Sequence, residues 1–355
     1  MGRHEEAPRR PRVKPALRVL ARDSRTLQFG RHPARAVLLT EVEPQVRRLI
    51  EHLDGTRTLA QAIALSEIDE HTAGETVRLL AARGLLEDAT VRPPAFSPAE
   101  RERLAPDRLV LSLAATDGGW GALERRRRAG VRVYGLGRVG AQVATLLAAA
   151  GVGRLCVLDP APTRREDLAP GGLTGAELGA AREDGVLARA RVVAPEVHAW
   201  PGRQAAGLGD GAPGPDLVIL TGAPDPLLVR ELTARRIPHL VAGCEEGCGE
   251  VGPLVLPGVT ACLDCRDLGR RDADPGWVFT TPSASGESSC DTVLAALVAA
   301  LTAGHALAFL DGTGPGVSNS TVEISADFRW RQRAWSRHPQ CRCSRKDQAA
   351  LTMVR

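Results

Sequence analysis

The chain has 355 residues, of which 43% are hydrophobic and 25% are charged, and its 46 basic and 42 acidic residues leave a net charge of only +4. A length of about 150 residues per domain predicts two or three domains, and a chain of this size buries a full core without disulfides. Only Lys14 and Lys346 are lysines, so the other 44 basic residues are arginines. A mechanism that needs a lysine in the middle of the chain is therefore excluded, unless an arginine replaces it.

Composition and apolar patterning argue against three further classes of protein. With 3% aromatic residues and a weak net charge, the chain lacks the basic surface and stacking rings of a nucleic-acid binder. Its first 20 residues contain no apolar core of a secretory signal. The longest apolar stretch, 292–310, is interrupted by Thr302, Gly304 and His305, which suits a buried helix better than a membrane span. We therefore expect a cytoplasmic protein that binds neither nucleic acid nor a membrane.

The N-terminal part of the chain predicts a small winged-helix domain over residues 15–92. Residues 1–14 are rich in Arg, Pro and Glu, which predicts a disordered tail. Two strands, three helices and a short final strand follow, and they cover 17–21, 26–29, 45–53, 58–65, 71–83 and 85–88. Residues 93–106 contain four prolines and predict a linker.

Beyond the linker the pattern changes to alternating strands and helices. A strand at 132–134, an Ala-rich helix over 139–150 and a strand at 154–158 are spaced as one β-α-β unit. Residues 160–190 are rich in Gly, Pro and Arg and predict a long crossover. Further strands and helices follow at 216–220, 226–236, 239–242, 250–256, 291–310, 318–324 and 328–335. This order predicts an α/β domain with a Rossmann-like fold.

A glycine motif joins the first strand of the α/β domain to its first helix. Gly135, Gly137 and Gly140 allow a tight turn and the close approach of a phosphate to backbone N–H groups at the helix N-terminus. Asp159 follows 19 residues after Gly140, at the end of the next strand, where a carboxylate can accept hydrogen bonds from ribose hydroxyls. The motif therefore predicts a nucleotide site. The alternative is that the glycines only permit close packing in a fold that has lost its ligand.

Four of the eight cysteines form two close pairs, Cys262 with Cys265 and, 76 residues later, Cys341 with Cys343. Four thiolates at these spacings can close a tetrahedral Zn²⁺ site that anchors the C-terminal segment to a distant loop. His338, three residues before Cys341, is an alternative ligand. A closed site of four ligands stabilises a fold and does not catalyse, so we predict structural zinc; redox cycling is the less favoured alternative.

Cys244, Cys248 and Cys290 are candidates either for a nucleophile or for small buried hydrophobic residues. Cys290 stands at the predicted N-terminus of a helix, where the helix dipole favours a thiolate. No histidine lies near it in the sequence, so a catalytic role is the less favoured interpretation. Cys156 falls inside a strand and is expected to be buried.

These motifs, in this order, resemble the ThiF/MoeB superfamily of ubiquitin-activating-like adenylyltransferases. Besides the glycine motif and the cysteine pairs, the resemblance rests on 150–155 (Ala-Gly-Val-Gly-Arg-Leu), Asp225, 252–253 (Gly-Pro) and 338–341 (His-Pro-Gln-Cys). It assigns 107–345 to a ThiF-type domain with a zinc-anchored C-terminal segment, and 346–355 to a tail. In that family the fold binds ATP and Mg²⁺ and adenylates the C-terminal carboxylate of a peptide or small carrier protein. A structural zinc ion and a homodimer are also implied.

The match is incomplete at the catalytic positions. The resemblance makes Asp159 the ribose carboxylate and Asp225 the magnesium-associated aspartate, although Pro226 stands where the family has Asn. The family's Asn-Leu-x-Arg-Gln stretch is altered here, and its arginine falls on Pro170. The catalytic lysine falls near Arg182, and a guanidinium does not replace a compact ammonium without adjustment. The resemblance therefore gives Asp225 and Arg182 as catalytic candidates in a partly degenerate ATP site.

The N-terminal unit resembles the PqqD-like domains that recognise leader peptides of ribosomally made, modified peptides. This resemblance rests on 53–58 (Leu-Asp-Gly-Thr-Arg-Thr) between two helices and on 84–86 (Gly-Leu-Leu) after the third helix. It implies a peptide that binds as an added strand at a sheet edge, with the third helix as the wall of the groove. A DNA-binding winged helix is the less favoured alternative, because the third helix has few basic residues.

Two functions follow from the two resemblances. In the first, the protein recognises a precursor or leader peptide and presents it to a separate cyclodehydratase-type enzyme, as partner proteins of azoline-forming pathways do. In the second, it is an active adenylyltransferase that uses MgATP. The changes at Pro170 and Arg182 favour the first function, whereas the intact glycine loop, Asp159 and Asp225 favour retained nucleotide binding. A nicotinamide-dependent oxidoreductase shares the glycine motif but leaves the cysteine pairs unexplained.

Overall fold

The computed structural model describes residues 8–205, 207–208, 214–276 and 290–344. The chain forms two compact units, residues 1–124 and residues 125–355. The division between them lies beyond the linker predicted at 93–106. The tail predicted at 346–355 lies outside the described residues.

The first unit is built from short strands and helices. In chain order they are β1 (Pro11–Val13), β2 (Val19–Ala21), β3 (Leu27–Phe29), β4 (Val37–Leu39), α1 (Pro44–His52), α2 (Leu59–Ser66), α3 (Glu70–Ala82), β5 (Leu86–Asp88), α4 (Pro98–Arg103) and α5 (Ala105–Ser112). A further helix, α6 (Trp120–Arg128), begins in this unit and ends in the next. The three helices predicted between residues 45 and 83 are present.

Local sequence explains where the helices of the first unit begin. The side chains of Thr58 and Asp69 accept backbone N–H bonds at the starts of α2 and α3. Ser97 caps α4 in the same way, and Pro98 lies in the first turn of that helix. Pro106 lies in the first turn of α5. Proline is tolerated there because its missing N–H would have no partner within the helix, so part of the proline-rich segment predicted as a linker is helical.

Strands β2, β3 and β4 form an antiparallel sheet with β3 in the centre. The core of the unit contains Phe29 from this sheet and Leu49, Leu53 and Leu80 from the helical segment, all almost fully buried. β5, predicted as the start of a wing, pairs with β1 and not with this sheet.

The predicted disordered tail does not extend to residues 11–14, because these residues are held by partners far away in the sequence. The Arg12 guanidinium donates a 2.8 Å bond from Nε to the buried carboxylate of Glu87, 75 residues later. Lys14 is only 2% exposed, and its Nζ donates to the Leu113 carbonyl at 3.1 Å. Composition alone predicted a disordered tail, because it does not show that charged side chains such as Arg12 and Lys14 have partners elsewhere in the chain.

The second unit alternates strands and helices around one sheet. Its elements are β6 (Gly130–Tyr134), α7 (Arg138–Ala149), β7 (Arg154–Leu158), α8 (Arg182–Val193), β8 (His198–Pro201), β9 (Leu217–Thr221), α9 (Pro226–Ala234), β10 (His239–Glu245), β11 (Cys248–Val255), α10 (Leu263–Ala273), α11 (Thr292–Leu310), β12 (Ser320–Ser325) and β13 (Trp330–Ala334). α8 begins inside the segment predicted as an irregular crossover. Its Gly185 disfavours a helix, but a Cβ there would lie 2.6 Å from a Leu173 methyl, so packing requires the glycine.

The strands of this sheet lie in the order β13-β12-β11-β10-β9-β6-β7-β8. From β10 to β8 the neighbours are parallel, whereas β11, β12 and β13 are antiparallel. β6 has β7 on one side and β9 on the other, so the chain reverses its direction across the sheet between them. In open α/β sheets, ligands bind at this switch point, beyond the carboxyl ends of the strands.

Alternating side chains of the central strands reach two separate cores. Leu217 and Ile219 of β9 belong to the core that includes α7, α8 and α11 residues. Val218 and Leu220 belong to the core that includes α9 and α10 residues. Because residues of a strand point to opposite faces in turn, a strand buried on both faces is apolar throughout.

Among the described residues, α11 is long and apolar enough to cross a membrane. Its buried residues, including Leu294, Val298 and Thr302, pack in the core against α7, β10 and β11. This packing explains its apolar composition, in agreement with the buried helix expected from the sequence.

Candidate nucleotide cleft and cysteine cluster

The glycine loop lies between β6 and α7, at the switch point of the sheet. Gly135 has φ +80°, and a Cβ there would lie 2.5 Å from the Thr221 carbonyl oxygen. A Cβ on Gly140 would lie 1.9 Å from the Gly135 oxygen. Both glycines are therefore required by the contact between the loop and β9, whether or not a ligand binds.

Gly137 is different, because no packing contact explains it. A Cβ on Gly137 would have its nearest neighbour, Asp167 Oδ1, at 3.8 Å. Its φ of −69° is open to other residues. Gly137 precedes α7 and has no side chain to cap it, so the N–H groups of the first turn receive no cap from this position. Of the two interpretations of the motif, a ligand cradle fits Gly137 and close packing fits Gly135 and Gly140.

Asp159 lies directly after β7, beside the glycine loop. Its Oδ2 accepts hydrogen bonds from the Leu136 N–H at 2.8 Å and from Arg182 Nη1 at 3.0 Å. Its Oδ1 accepts from the Ala161 N–H at 3.2 Å. The Asp159 N–H donates in turn to Glu183 Oε1 at 3.0 Å. The carboxylate is thus fixed by the loop, by its own turn and by α8.

Arg182 begins α8 and bridges two carboxylates. In addition to Asp159, it contacts Asp167 Oδ2 through Nε at 2.9 Å and through Nη2 at 2.8 Å. The three side chains are 17%, 13% and 7% exposed for Arg182, Asp159 and Asp167. Burial alone would lower the pKa of Arg182, but its hydrogen bonds and charge pairing with both aspartates raise it.

Asp225 lies in the segment after β9, and so at the carboxyl edge of the same sheet. It is exposed, and its Oδ1 caps α9 by accepting the Leu227 N–H at 2.8 Å. Pro226 occupies the first turn of α9, which explains why proline is tolerated where the family has Asn. Pro170 lies in an exposed turn. The structure therefore brings Asp159 and Arg182 into contact with each other, and it gives Asp225 a helix-capping contact.

The two cysteine pairs converge on one point. The Sγ atoms of Cys262, Cys265, Cys341 and Cys343 all lie within 4.8 Å of one another. Cys262 and Cys265 are at the start of α10, while Cys343 is in a single 3₁₀ turn, Arg342–Ser344. Burial raises the pKa of the Cys341 thiol to about 12, so a metal would bind here by displacing protons. This density of thiols fits a tetrahedral zinc site.

His338 contacts this cluster through its backbone. Its N–H donates to Cys265 Sγ at 3.3 Å. Its ring nitrogens have other partners: Nε2 is 2.8 Å from Asp272 Oδ2, and Nδ1 accepts the Gln340 N–H at 3.2 Å. The geometry therefore favours Cys343 over His338 as the fourth ligand, with His338 orienting a ligand from outside.

Comparison with known proteins settles the family. The model of the ThiF family matches residues 108–344. The chain belongs to the ThiF family. No curated protein matches the chain.

Solved structures of ThiF fold relatives cover both units of the chain. E. coli MccB with ATP is similar with a TM-score of 0.72 at 16% identity, over 94% of this chain and 99% of MccB. The microcin C7 biosynthetic enzyme MccB in complex with N-formylated MccA gives 0.70 at 16% identity, over 94% and 99%. PaaA gives 0.71 at 19% identity, over 91% and 99%. At such identities the similarity shows the fold. The predicted Rossmann-like ThiF fold is confirmed.

Two features of this ThiF cleft were not expected from the sequence. Asp167, which stands at the Asn position of the family's Asn-Leu-x-Arg-Gln stretch, holds Arg182. Arg138, inside the glycine motif, donates from Nη1 to the Cys290 carbonyl at 2.7 Å and ties the loop to the start of α11. A signal for Asp167 did exist, because an aspartate replacing Asn adds a charge that needs a counter-ion.

The remaining cysteines of the ThiF domain show no arrangement for nucleophilic catalysis among the described residues. Cys156 is fully buried, as expected. Cys290 is also buried, and a hydrogen bond with Cys244 lowers its thiol pKa and raises that of Cys244. Cys248 is exposed at the start of β11.

Proposed function

We propose that this protein recognises a ribosomally made precursor peptide through its first unit and presents it for modification by a separate cyclodehydratase-type enzyme. This proposal rests on the β2-β3-β4 sheet. Its outer strands, β2 and β4, pair only with β3 among the described residues, and they expose apolar side chains. Val19 and Leu20 of β2 are 41% and 37% exposed, and Leu38 of β4 is 46% exposed. Exposed apolar strands at sheet edges are templates for an added strand.

The backbone pattern shows which groups an added strand would use. The Arg22 N–H donates to Thr26 O, and the Gly30 N–H donates to Arg18 O. The backbone N–H and C=O groups of even-numbered residues along β2 therefore point towards β3. By the alternation of antiparallel ladders, Val19 and Ala21 direct their N–H and C=O groups away from the sheet. The same alternation across β3 and β4 places the N–H and C=O of Leu38 on the outer side of β4. Each edge therefore offers main-chain partners beside apolar side chains.

The known fold relatives support the capture of a second molecule. MccB is described in complexes with MccA, including N-formylated MccA. This chain covers nearly the full length of MccB, so the comparison includes its first unit. A small carrier protein is the other ligand that the ThiF resemblance implies, and the experiment below separates the two.

Proline substitutions at the outward positions test the proposal. Ala21→Pro and Leu38→Pro each remove an outward N–H without removing an N–H that bonds to β3. Binding of a labelled precursor peptide encoded beside this chain is measured by fluorescence polarisation. We expect one of the two variants to lose at least about tenfold in affinity, or about 1.4 kcal/mol.

A matched pair of valines provides the control. Val19→Asp places a charge on the β2 edge, whereas Val110→Asp places one on α5, where Val110 is 67% exposed. Val110→Asp is expected to bind the peptide like the wild type. Unchanged peptide affinity in both proline variants, or binding of carrier proteins but not of peptides, would contradict the proposal.

For the cysteine cluster we propose structural Zn²⁺. The four cysteines can supply a closed set of thiolate ligands, and the backbone N–H of His338 would support Cys265 from outside. Zinc here would join the start of α10 to the C-terminal segment and take no part in a reaction. A cytoplasmic location and a homodimer are further expectations from the family.

The second candidate function is active adenylation, and Gly137 is the observation that favours it. Its open surroundings fit a phosphate cradle, and MccB is described with ATP. In this function Asp225 would associate with Mg²⁺ and Arg182 would contact phosphate. ATP–pyrophosphate exchange in the presence of the peptide, abolished by Asp225→Ala, would establish it. Absence of exchange while the peptide binds would support recognition without adenylation.

A further inference from the structure

Arg182 binds the same carboxylate that the ThiF fold would offer to a nucleotide ribose. A carboxylate has about four acceptor positions. On Asp159, three of these are filled by Leu136 N–H, Ala161 N–H and Arg182 Nη1. A ribose that donates from both its 2′- and 3′-hydroxyls needs two positions. The ribose and Arg182 therefore compete for Asp159.

The bridge cannot open at low cost, because two buried carboxylates share Arg182 as their cation. Asp159 and Asp167 are 13% and 7% exposed, and Arg182 is the cation between them. If the guanidinium moved towards a phosphate, both carboxylates would remain in a poorly solvated environment. Asp167 is also fixed by the Arg164 N–H at 2.8 Å and cannot follow Arg182.

The position of Arg182 also limits what it can give to a phosphate. An arginine has five N–H donors in a rigid fork. Nε and Nη2 point to Asp167, and Nη1 points to Asp159. The Nε–Nη2 edge of the guanidinium, which could bind an oxyanion bidentately, is therefore already occupied by Asp167.

We infer that Arg182 is a specificity-determining residue that closes the ribose subsite of this cleft, so that the wild-type protein binds MgATP weakly and nucleotide affinity appears when Arg182 is removed. This inference rests on the ribose-binding role that the glycine motif and the ThiF resemblance give to Asp159.

A double substitution tests the inference without changing the net charge of the three side chains. Arg182→Met with Asp167→Asn removes one positive and one negative charge and leaves Asp159 free to accept the ribose. Arg189→Met is the matched control, since Arg189 is on the same helix and pairs with Glu177 at 3.1 Å, outside the contacts of Asp159. Affinity for MgATP is measured by titration calorimetry. We expect the double variant to bind at least about tenfold more tightly than the wild type and the control to be unchanged.

A second ligand shows whether the gain passes through the ribose. The magnesium complex of 2′,3′-dideoxy-ATP has no ribose hydroxyls to donate, so the double variant should gain little affinity for it. An equal gain for both nucleotides would overturn the inference, as would a wild-type protein that binds MgATP as tightly as the double variant.

Thermal unfolding of each variant accompanies the titrations. If the double variant does not fold, Arg182→Lys takes its place, because a compact ammonium can satisfy only part of the bridge and should give a smaller gain. No gain in a folded Arg182→Lys then overturns the inference. Peptide binding is measured with variants of the first unit, whereas nucleotide binding is measured with variants of Arg182. Failure of the nucleotide experiment and failure of the proposed function are therefore distinguishable.

Discussion

Single glycines in the loop between β6 and α7 have different physical reasons for being glycine. Gly140→Ala would place a Cβ 1.9 Å from a backbone oxygen, so we expect a loss of about 3 kcal/mol or more in the free energy of unfolding. Gly137→Ala, with its nearest neighbour at 3.8 Å, should change it by less than about 0.5 kcal/mol. Urea unfolding of both variants measures the difference. Equal destabilisation would mean that the loop is packed throughout and has no open cradle.

A buried histidine makes stability depend on pH. His239 begins β10 and is fully buried; its Nδ1 is 3.0 Å from the Ile237 carbonyl, while its Nε2 has no hydrogen-bond partner in the described structure. Burial lowers its pKa below the usual 6.5, so the unfolded chain takes up the proton first. Stability contributed by the neutral ring is present above pH 6.5 and is lost, by up to about 1.4 kcal/mol per pH unit, as pH falls towards the lowered pKa.

His239→Leu should reduce this pH dependence, because it removes the proton-binding group. It also removes a buried nitrogen that lacks a partner, which costs about 1–3 kcal/mol in the wild type. Unfolding by urea at pH 7 and pH 5 measures both effects, and the exposed His71→Gln variant serves as the control. A variant as sensitive to acid as the wild type would show that His239 is not the group responsible.

At the scale of elements, a buried ion pair joins α6 to the end of α11. Arg126 donates to both oxygens of Asp311, at 2.9 and 2.8 Å, and the two side chains are only 6% and 5% exposed. Asp311→Asn removes the carboxylate charge that Arg126 contacts inside the protein, so we expect a loss of about 3–5 kcal/mol in the free energy of unfolding. Denaturant unfolding is the measurement.

The exposed pair of Arg235 and Glu231 on α9 is the control for this prediction. Glu231→Gln should cost less than about 1 kcal/mol, because solvent screens that pair. Replacing both Arg126 and Asp311 with Met and Leu should cost less than Asp311→Asn alone. A larger cost for the double replacement would indicate that packing, and not charge, dominates at this position.

The success of sequence analysis for each element depended on the range of the interactions that stabilise it. The β6-α7-β7 unit was predicted because its apolar strands, glycine turn and Ala-rich helix are local signals. β1 was missed because its stabilising contacts are with Glu87 and β5, more than 70 residues away. The start of α8 was missed because Gly185 disfavours a helix locally and is explained only by its contact with Leu173.

The same distinction applies to the candidate sites. The cysteine cluster was predicted because thiol spacing is visible in the sequence, although the ring contacts of His338 were needed to favour Cys343. Asp159 and Arg182 were identified as separate residues with separate roles. The bridge that Arg182 makes between Asp159 and Asp167 depends on the crossover bringing α8 back to the end of β7, and no spacing rule encodes that.

At the scale of the whole molecule, the cysteine cluster brings the C-terminal segment next to the start of α10. We expect about one zinc ion per chain by elemental analysis. Cys262→Ser should lose the metal and much of the soluble protein, because the roughly 10–16 kcal/mol that structural zinc contributes is comparable with the roughly 5–15 kcal/mol stability of a typical domain. Cys248→Ser, an exposed thiol outside the cluster, is the control. A metal-free wild-type protein of normal stability would contradict this prediction.

The burial of Lys14 has a practical consequence for measuring the two units separately. Because Lys346 is the only other lysine, amine-reactive acylation of intact protein has few targets. Lys14 is 2% exposed in the first unit, so its ammonium becomes reactive only when that unit opens. Mass-spectrometric detection of a label on the peptide containing Lys14 would therefore report the opening of the first unit.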